Sequence, residues 1–286
     1  MKRRLLLVLM LLASAGPKLL ASCGAPAATA LNFGNYTGVV STSGGSTITL
    51  TCTSGTSYTI GLSAGQTSGA TVTTRQMTSS AGGTLHYALY RDAARSANWG
   101  TTIGTDTDGA TGTGSAQQFN VYPRAIGGQY VTPGTYTDSI LVEIIDSAFN
   151  LTYTTFNVTA TVVPSCTVSA SALSFGNYIN LLKNATSIVA VTCTNTTTYN
   201  IGLNAGTGSG ATVSNRLMTR SSITLPYRIC QDAAFTLNWG NTVGTDTESG
   251  TGNGTPQNLS AYGQVPAGHL IAPGIYSDTI TASVTY

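Results

Sequence analysis

The chain has 286 residues, length enough for two domains with ordinary cores. Only 8% of the residues are charged, and the chain is rich in Gly, Ser, Thr and Asn. Abundant Val, Ile, Thr and Tyr exclude a disordered chain, and with no apolar 3.6-residue period beyond the N-terminus they predict an all-β protein.

Residues 1–21 read as a signal peptide. Lys2, Arg3 and Arg4 precede an apolar run from Leu5 to Leu12, and small residues follow, with cleavage expected near Ala21. The run is too short to span a bilayer as a mature helix. Lys2, Arg3, Arg4 and Lys18 are four of the 12 basic residues, so cleavage leaves eight against 10 acidic ones. No basic patch survives, and nucleic acid is excluded as a partner.

From residue 31 the chain is a tandem duplication. "LNFGNY" at 31–36 returns as "LSFGNY" at 173–178, and "TCTSGTSYTIGLSAG" at 51–65 as "TCTNTTTYNIGLNAG" at 192–206. "SGATVTTRQMT" matches "SGATVSNRLMT", "NWGTTIGTDTDGATGTG" matches "NWGNTVGTDTESGTGNG", and "VTPGTYTDSI" matches "IAPGIYSDTI". In each unit, short alternating runs such as "STITLTC", "SYTIGLSAG", "LHYALY" and "GTYTDSILVEII" predict strands. Pro-Gly turns precede the last of them. The spacing predicts two immunoglobulin-like β-sandwiches, 22–163 and 164–286. The Gly/Thr-rich stretches 100–118 and 240–258 are expected as long surface loops.

The cysteines follow the duplication. Cys23 and Cys52 correspond to Cys166 and Cys193, and an exported chain makes disulfides the default reading for both pairs. Each would stabilise its domain by roughly 3–4 kcal/mol in the entropic model. "LASC" at 20–23 also resembles a lipobox, which would lipidate Cys23 and leave Cys52 unpaired, against the pattern of the repeat. Cys230 stands where the first unit has Tyr90 and is read as a buried, unpaired small hydrophobe.

No catalytic constellation is present, and no enzyme activity, cofactor or metal is expected. His86 and His269 are not at equivalent repeat positions and lack ligand partners at metal spacing. Asp106 and Asp108, matched by Asp246 and Glu248, lack the further oxygen ligands of a Ca²⁺ loop and read as turn formers. Trp99 and Trp239 occur once per repeat, which favours a structural role. A glycosidase would need two carboxylates at a cleft.

The stretch between the units is the informative one. In "TTFNVTATVV", Phe156, Val158, Ala160 and Val162 alternate with polar residues, the period of a half-buried strand. The first unit's "YTDSILVEII" is followed by this strand, whereas the second unit's "YSDTITASVTY" runs to Tyr286 with no such strand after it. A sandwich without its last strand exposes an apolar groove flanked by unpaired backbone, which invites strand addition from another chain.

These repeats resemble the spore coat protein U domain found in pilins of archaic (Csu-type) chaperone–usher systems. The resemblance is carried by "SC.VSA..LSFGNY" at 165–178, "VTCT" at 191–194, "Y.IGL.AG" at 199–206, "RLM" at 216–218, "NWG" at 238–240 and "PG.YSD.I" at 273–280. In that family a donor segment just before the first Cys completes the preceding subunit, and "TTFNVTATVVP" holds that place before Cys166. The resemblance implies that strand 154–162 is used in cis on the first domain. The second domain then awaits a strand from an adjacent pilin subunit, after a periplasmic chaperone and an outer-membrane usher have handled the subunit. A chain that accepts a strand and has none to donate resembles a two-domain tip adhesin. The hairpin carrying Ile145, Phe149 and Leu151 would lie at the far pole and is the candidate for contact with an abiotic or host surface. The other reading is a secreted spore-coat or extracellular-matrix structural protein without a pilus.

Overall fold

The computed structural model describes residues 22–286; the expected signal peptide lies outside them. All regular structure among the described residues is β, in eighteen strands that form two cores. The first ten are β1 (Ala27–Ala28), β2 (Leu31–Tyr36), β3 (Ser46–Thr51), β4 (Ser57–Leu62), β5 (Arg75–Thr78), β6 (Thr84–Tyr90), β7 (Asp108–Thr111), β8 (Ala116–Ala125), β9 (Gly134–Asp146) and β10 (Leu151–Val162). The other eight are β11 (Cys166–Ala170), β12 (Lys183–Cys193), β13 (Thr198–Leu203), β14 (Arg216–Arg220), β15 (Ile223–Cys230), β16 (Glu248–Thr251), β17 (Gln257–Val265) and β18 (Ala282–Thr285).

In the first domain one continuous sheet curls on itself in the order β1-β3-β8-β6-β5-β9-β10-β2, with β4 bridging β7 and β9. The second domain repeats the plan in two pieces, β11-β12-β17-β15-β14 and β16-β13-β18. Period-two sequence sets which side chains enter the cores. Along β9, Tyr136, Asp138, Ile140, Val142 and Ile144 are buried while the alternate residues Thr137, Ser139, Leu141 and Glu143 face the other way.

Each core is pinned by one buried cation and one indole. Arg75 Nε donates to Ser63 O (2.8 Å), Nη1 to Val72 O (2.7 Å), and Nη2 to Leu62 O (3.0 Å) and Trp99 O (2.6 Å). Burial lowers its pKa to about 10, which leaves the guanidinium charged at neutral pH. Trp99 Nε1 donates to Ile60 O (2.9 Å). Arg216 and Trp239 repeat the arrangement on Asn204, Val213, Leu203 and Ile201. Disulfides join Cys23 to Cys52 and Cys166 to Cys193, and Cys230 is buried with a free thiol.

One expectation is corrected. The stretches 100–118 and 240–258 are not simply loops, since each contains a four-residue strand, β7 or β16, laid against β4 or β13. Gly109 hides the strand from a propensity reading, yet the fit requires it: a Cβ there would lie 2.6 Å from Tyr58 O. Asp106 and Asp246 accept from the backbone N–H of Thr102 (2.6 Å) and Thr242 (2.7 Å), closing the turns before these strands.

Candidate strand-acceptor groove and distal hairpin

β10 is seated between two strands of the first domain. It runs antiparallel to β9 along its whole length, from Leu151 opposite Ile145 to Val162 opposite Gly134. On its other side it runs parallel to β2, from Val158 opposite Leu31 to Val162 opposite Tyr36. Phe156, Val158, Ala160 and Val162 all point into the core, none more than 3% exposed. They cover Leu31, Phe33 and Tyr36 of β2 and Tyr136 and Ile140 of β9, which are themselves buried.

The second domain carries the same lining without the cover. Leu173, Phe175 and Tyr178 stand where Leu31, Phe33 and Tyr36 stand, and Tyr276, Ile280, Ala282 and Val284 where Tyr136, Ile140, Val142 and Ile144 stand. All seven are only partly buried. Five of them, Leu173, Phe175, Tyr276, Ile280 and Ala282, line an open groove of about 420 Å³, together with Val189, Leu203, Met218, Ile229 and Ala261. "LSFGNY" makes no strand here, and of the segment matching β9 only β18 is regular. The near-identical "LNFGNY" is a strand in the first domain because β10 supplies its ladder. Residues 274–281 likewise have no ladder on the side β10 would take.

At the rim of the groove Asp278 accepts from Thr207 N (2.8 Å), Thr207 Oγ1 (2.9 Å), Thr279 N (2.8 Å) and Tyr227 Oη (2.8 Å). Burial alone would raise the pKa of this carboxyl, but the four donors outweigh it and hold it below the usual carboxylate range. Gly206 allows the approach, since with φ +85° a Cβ would run into the carboxylate. Burial and the bond to Asp278 push the Tyr227 hydroxyl far above the normal tyrosine range. Tyr87 and Asp138 form the matching pair in the first domain at 2.7 Å.

The hairpin joining β9 to β10 occupies the opposite end. Twelve residues of β10, at roughly 3.3 Å each, separate it by about 40 Å from the point where the chain leaves the first domain. Asp146 is buried and locks the turn: its Oδ1 accepts from Ala148 N and Asn150 N, both at 2.9 Å. Phe149 is held at φ +63° and stands 89% exposed. The three expected hairpin residues are not equivalent. Ile145 is half-buried within β9, registered between Thr59 and Leu151, while Phe149 and Leu151 project outward. Tyr153, two residues after Leu151 on the same face of β10, is also exposed, and only its period-two spacing from Leu151 could have flagged it.

The model of the Spore Coat Protein U domain matches residues 9–143 and 152–283. The chain is 34% identical to Protein U of Myxococcus xanthus over 148 residues, covering 46% of this chain and 82% of that protein. Its fold matches a chain from the CsuC–CsuE chaperone–tip adhesion subunit pre-assembly complex of the archaic chaperone–usher Csu pili of Acinetobacter baumannii. That match has a TM-score of 0.53 and 18% identity and covers 93% of this chain and 100% of that one.

Proposed function

We propose that this chain, which belongs to the Spore Coat Protein U domain family, is the adhesive tip subunit of a chaperone–usher fibre. The observation that carries the reading is the contrast between the two domains. One is closed by β10, and the other presents the same apolar lining as an open groove. The second family match begins at residue 152, so by sequence β10 is the leading segment of the second unit, while by packing it belongs to the first. A strand spent inside its own chain closes the first domain without any association cost, since the linkage is covalent. The second domain is then joined to the fibre by a strand from the adjacent subunit. On the way to the cell surface a periplasmic chaperone shields the groove, and an outer-membrane usher exchanges it for that subunit.

Adhesion is assigned to the distal hairpin. Residues 144–151 fall between the two family matches, and they place Phe149 and Leu151, with Tyr153 beside them, at the end remote from the second domain. Apolar side chains held out on a locked turn suit contact with abiotic or host surfaces and biofilm formation.

Immunogold electron microscopy with an antibody to the first domain is the test. Label at one end of each fibre is expected. Label spread along fibres, or on a coat without fibres, would instead favour a secreted spore-coat or matrix role, the reading that the family's name supports. Phe149→Ser with Leu151→Thr is expected to lower attachment to polystyrene severalfold with the number of fibres unchanged. Unchanged attachment removes the hairpin from the account.

A further inference from the structure

β10 sets a direction as well as a partner. It ends at Val162 opposite Tyr36, Val163 N donates to Tyr36 O (3.2 Å), and the chain passes directly into the second domain. There Ser165 Oγ donates to Thr37 O (3.1 Å), Asn195 N to Tyr130 O (2.9 Å) and Asn195 Nδ2 to Thr132 Oγ1 (3.0 Å). The unit that follows the strand is therefore seated on a pole of the completed domain built from Thr37, Tyr130 and Thr132.

The second domain has the same pole with the same internal scaffold. Gly268 N donates to Asn180 O where Gly128 N donates to Gly38 O, and His269 N donates to Tyr178 Oη where Gln129 N donates to Tyr36 Oη. The side chains presented there differ in one consistent direction. Thr37, Tyr130, Thr132 and Thr135 give way to Ile179, Leu270, Ala272 and Ile275. Ile179 is 68% exposed, Leu270 89% and Ile275 88%, and Ile275 adjoins the groove through Tyr276.

We infer that this apolar pole is a second docking surface, separate from the groove, and that it seats the globular body of the subunit whose strand fills the groove. The inference rests on the strand-acceptor reading above. The occupant is a domain of this same family, meeting the pole through its disulfide end, the face that carries Ser165 and Asn195 in the second domain here. The polarity difference has a physical cause. The joint inside the chain is tethered covalently and holds with a few hydrogen bonds. The joint at the second domain unites separate molecules and must offset the loss of translational and rotational freedom, which burial of apolar side chains does.

The test uses the full chain in cells that assemble the fibre, with the photo-crosslinker p-benzoylphenylalanine placed in turn at Ile179, Leu270 and the groove residue Ile280. All three positions are expected to crosslink to one and the same subunit, those from Ile179 and Leu270 landing near its first disulfide. A crosslink from Ile280 with none from Ile179 or Leu270, or to a different protein, overturns the docking surface and leaves the acceptor groove standing. No crosslink from any position overturns both. A second measurement gives the pole its first-domain residues, Ile179→Thr, Leu270→Tyr and Ile275→Thr. With the Ile280 crosslink retained, release of the subunit from fibres in denaturant is expected about 10–100-fold faster. An unchanged release rate refutes the proposal.

Discussion

Replacing Phe156 by Ala removes the largest side chain that β10 places in the first core. Phe156 is 3% exposed among Val158, Ala160 and the residues of β2 and β9, so the site has little room to collapse around the loss. A buried Phe→Ala change costs about 3–5 kcal/mol. With a urea dependence of about 2 kcal/mol/M, the unfolding midpoint of the first domain should fall by about 2 M. Each domain carries its own reporter, because Trp99 and Trp239 are both fully buried and occur one to a core. Fluorescence in a Trp239→Phe background follows the first domain, and in a Trp99→Phe background the second. The indole N–H lost in each background has an equivalent carbonyl partner, Ile60 or Ile201, and its cost cancels when Phe156→Ala is compared within one background. The expected result is a large fall in the Trp99 midpoint and a change below about 0.5 kcal/mol at Trp239, as for distant sites. Equal shifts at both reporters, or a shift at Trp239 alone, would refute the assignment of β10 to the first domain.

The remaining expectations concern the polar groups and the hairpin. Arg75→Met leaves four backbone carbonyls in the core without their donor and should cost the first domain at least about 3 kcal/mol, read as the Trp99 urea midpoint. The folded-state pKa of Asp278 is depressed, so its contribution is fully present above the unfolded value of about 3.9 and is lost as pH falls through the lower folded value. The Trp239 midpoint should accordingly be flat near neutrality and fall below about pH 4, and Asp278→Asn should remove that part of the acid dependence. The paired hairpin change at Phe149 and Leu151 touches exposed side chains and should leave the Trp99 midpoint within about 0.5 kcal/mol. The Cys230 thiol is buried, and burial raises its pKa. Iodoacetamide should leave it unmodified in the native chain and label it fully in urea, as followed by mass spectrometry.

Much of the architecture could be read from residues alone because the duplication supplies an internal control. The alternation of Phe156, Val158, Ala160 and Val162 shows a strand with one apolar face, and the paired Cys positions recur once in each unit. Other features depend on partners far away in sequence. "LNFGNY" and "LSFGNY" carry the same local preferences, yet only the first is a strand, because only it has β10 alongside. Nothing within six residues can report that difference. β7 and β16 are hidden for a related reason, since Gly109 and Gly250 read as loop residues until the close approach of β4 and β13 is seen. Arg75 and Arg216 look like surface charges in a polar chain, and only the convergence of four carbonyls on each explains their burial. At the hairpin, composition did not separate the half-buried Ile145 from the projecting Phe149, because the two differ in register and not in kind.

β10 also has a mechanical consequence. Its first residue follows the turn that bears Phe149, and its last leads through Val163 into the second domain. A pull between a surface held at that turn and the rest of the molecule is therefore transmitted along a single covalent backbone from one end of the first domain to the other. The ladders to β9 and β2 lie beside that line of tension and are loaded along the strand direction, with many hydrogen bonds sharing the load at once. The first domain can then bear tension without being asked to unfold, and in the proposed fibre the weakest link would lie elsewhere, at the joint between the second domain and the adjacent subunit.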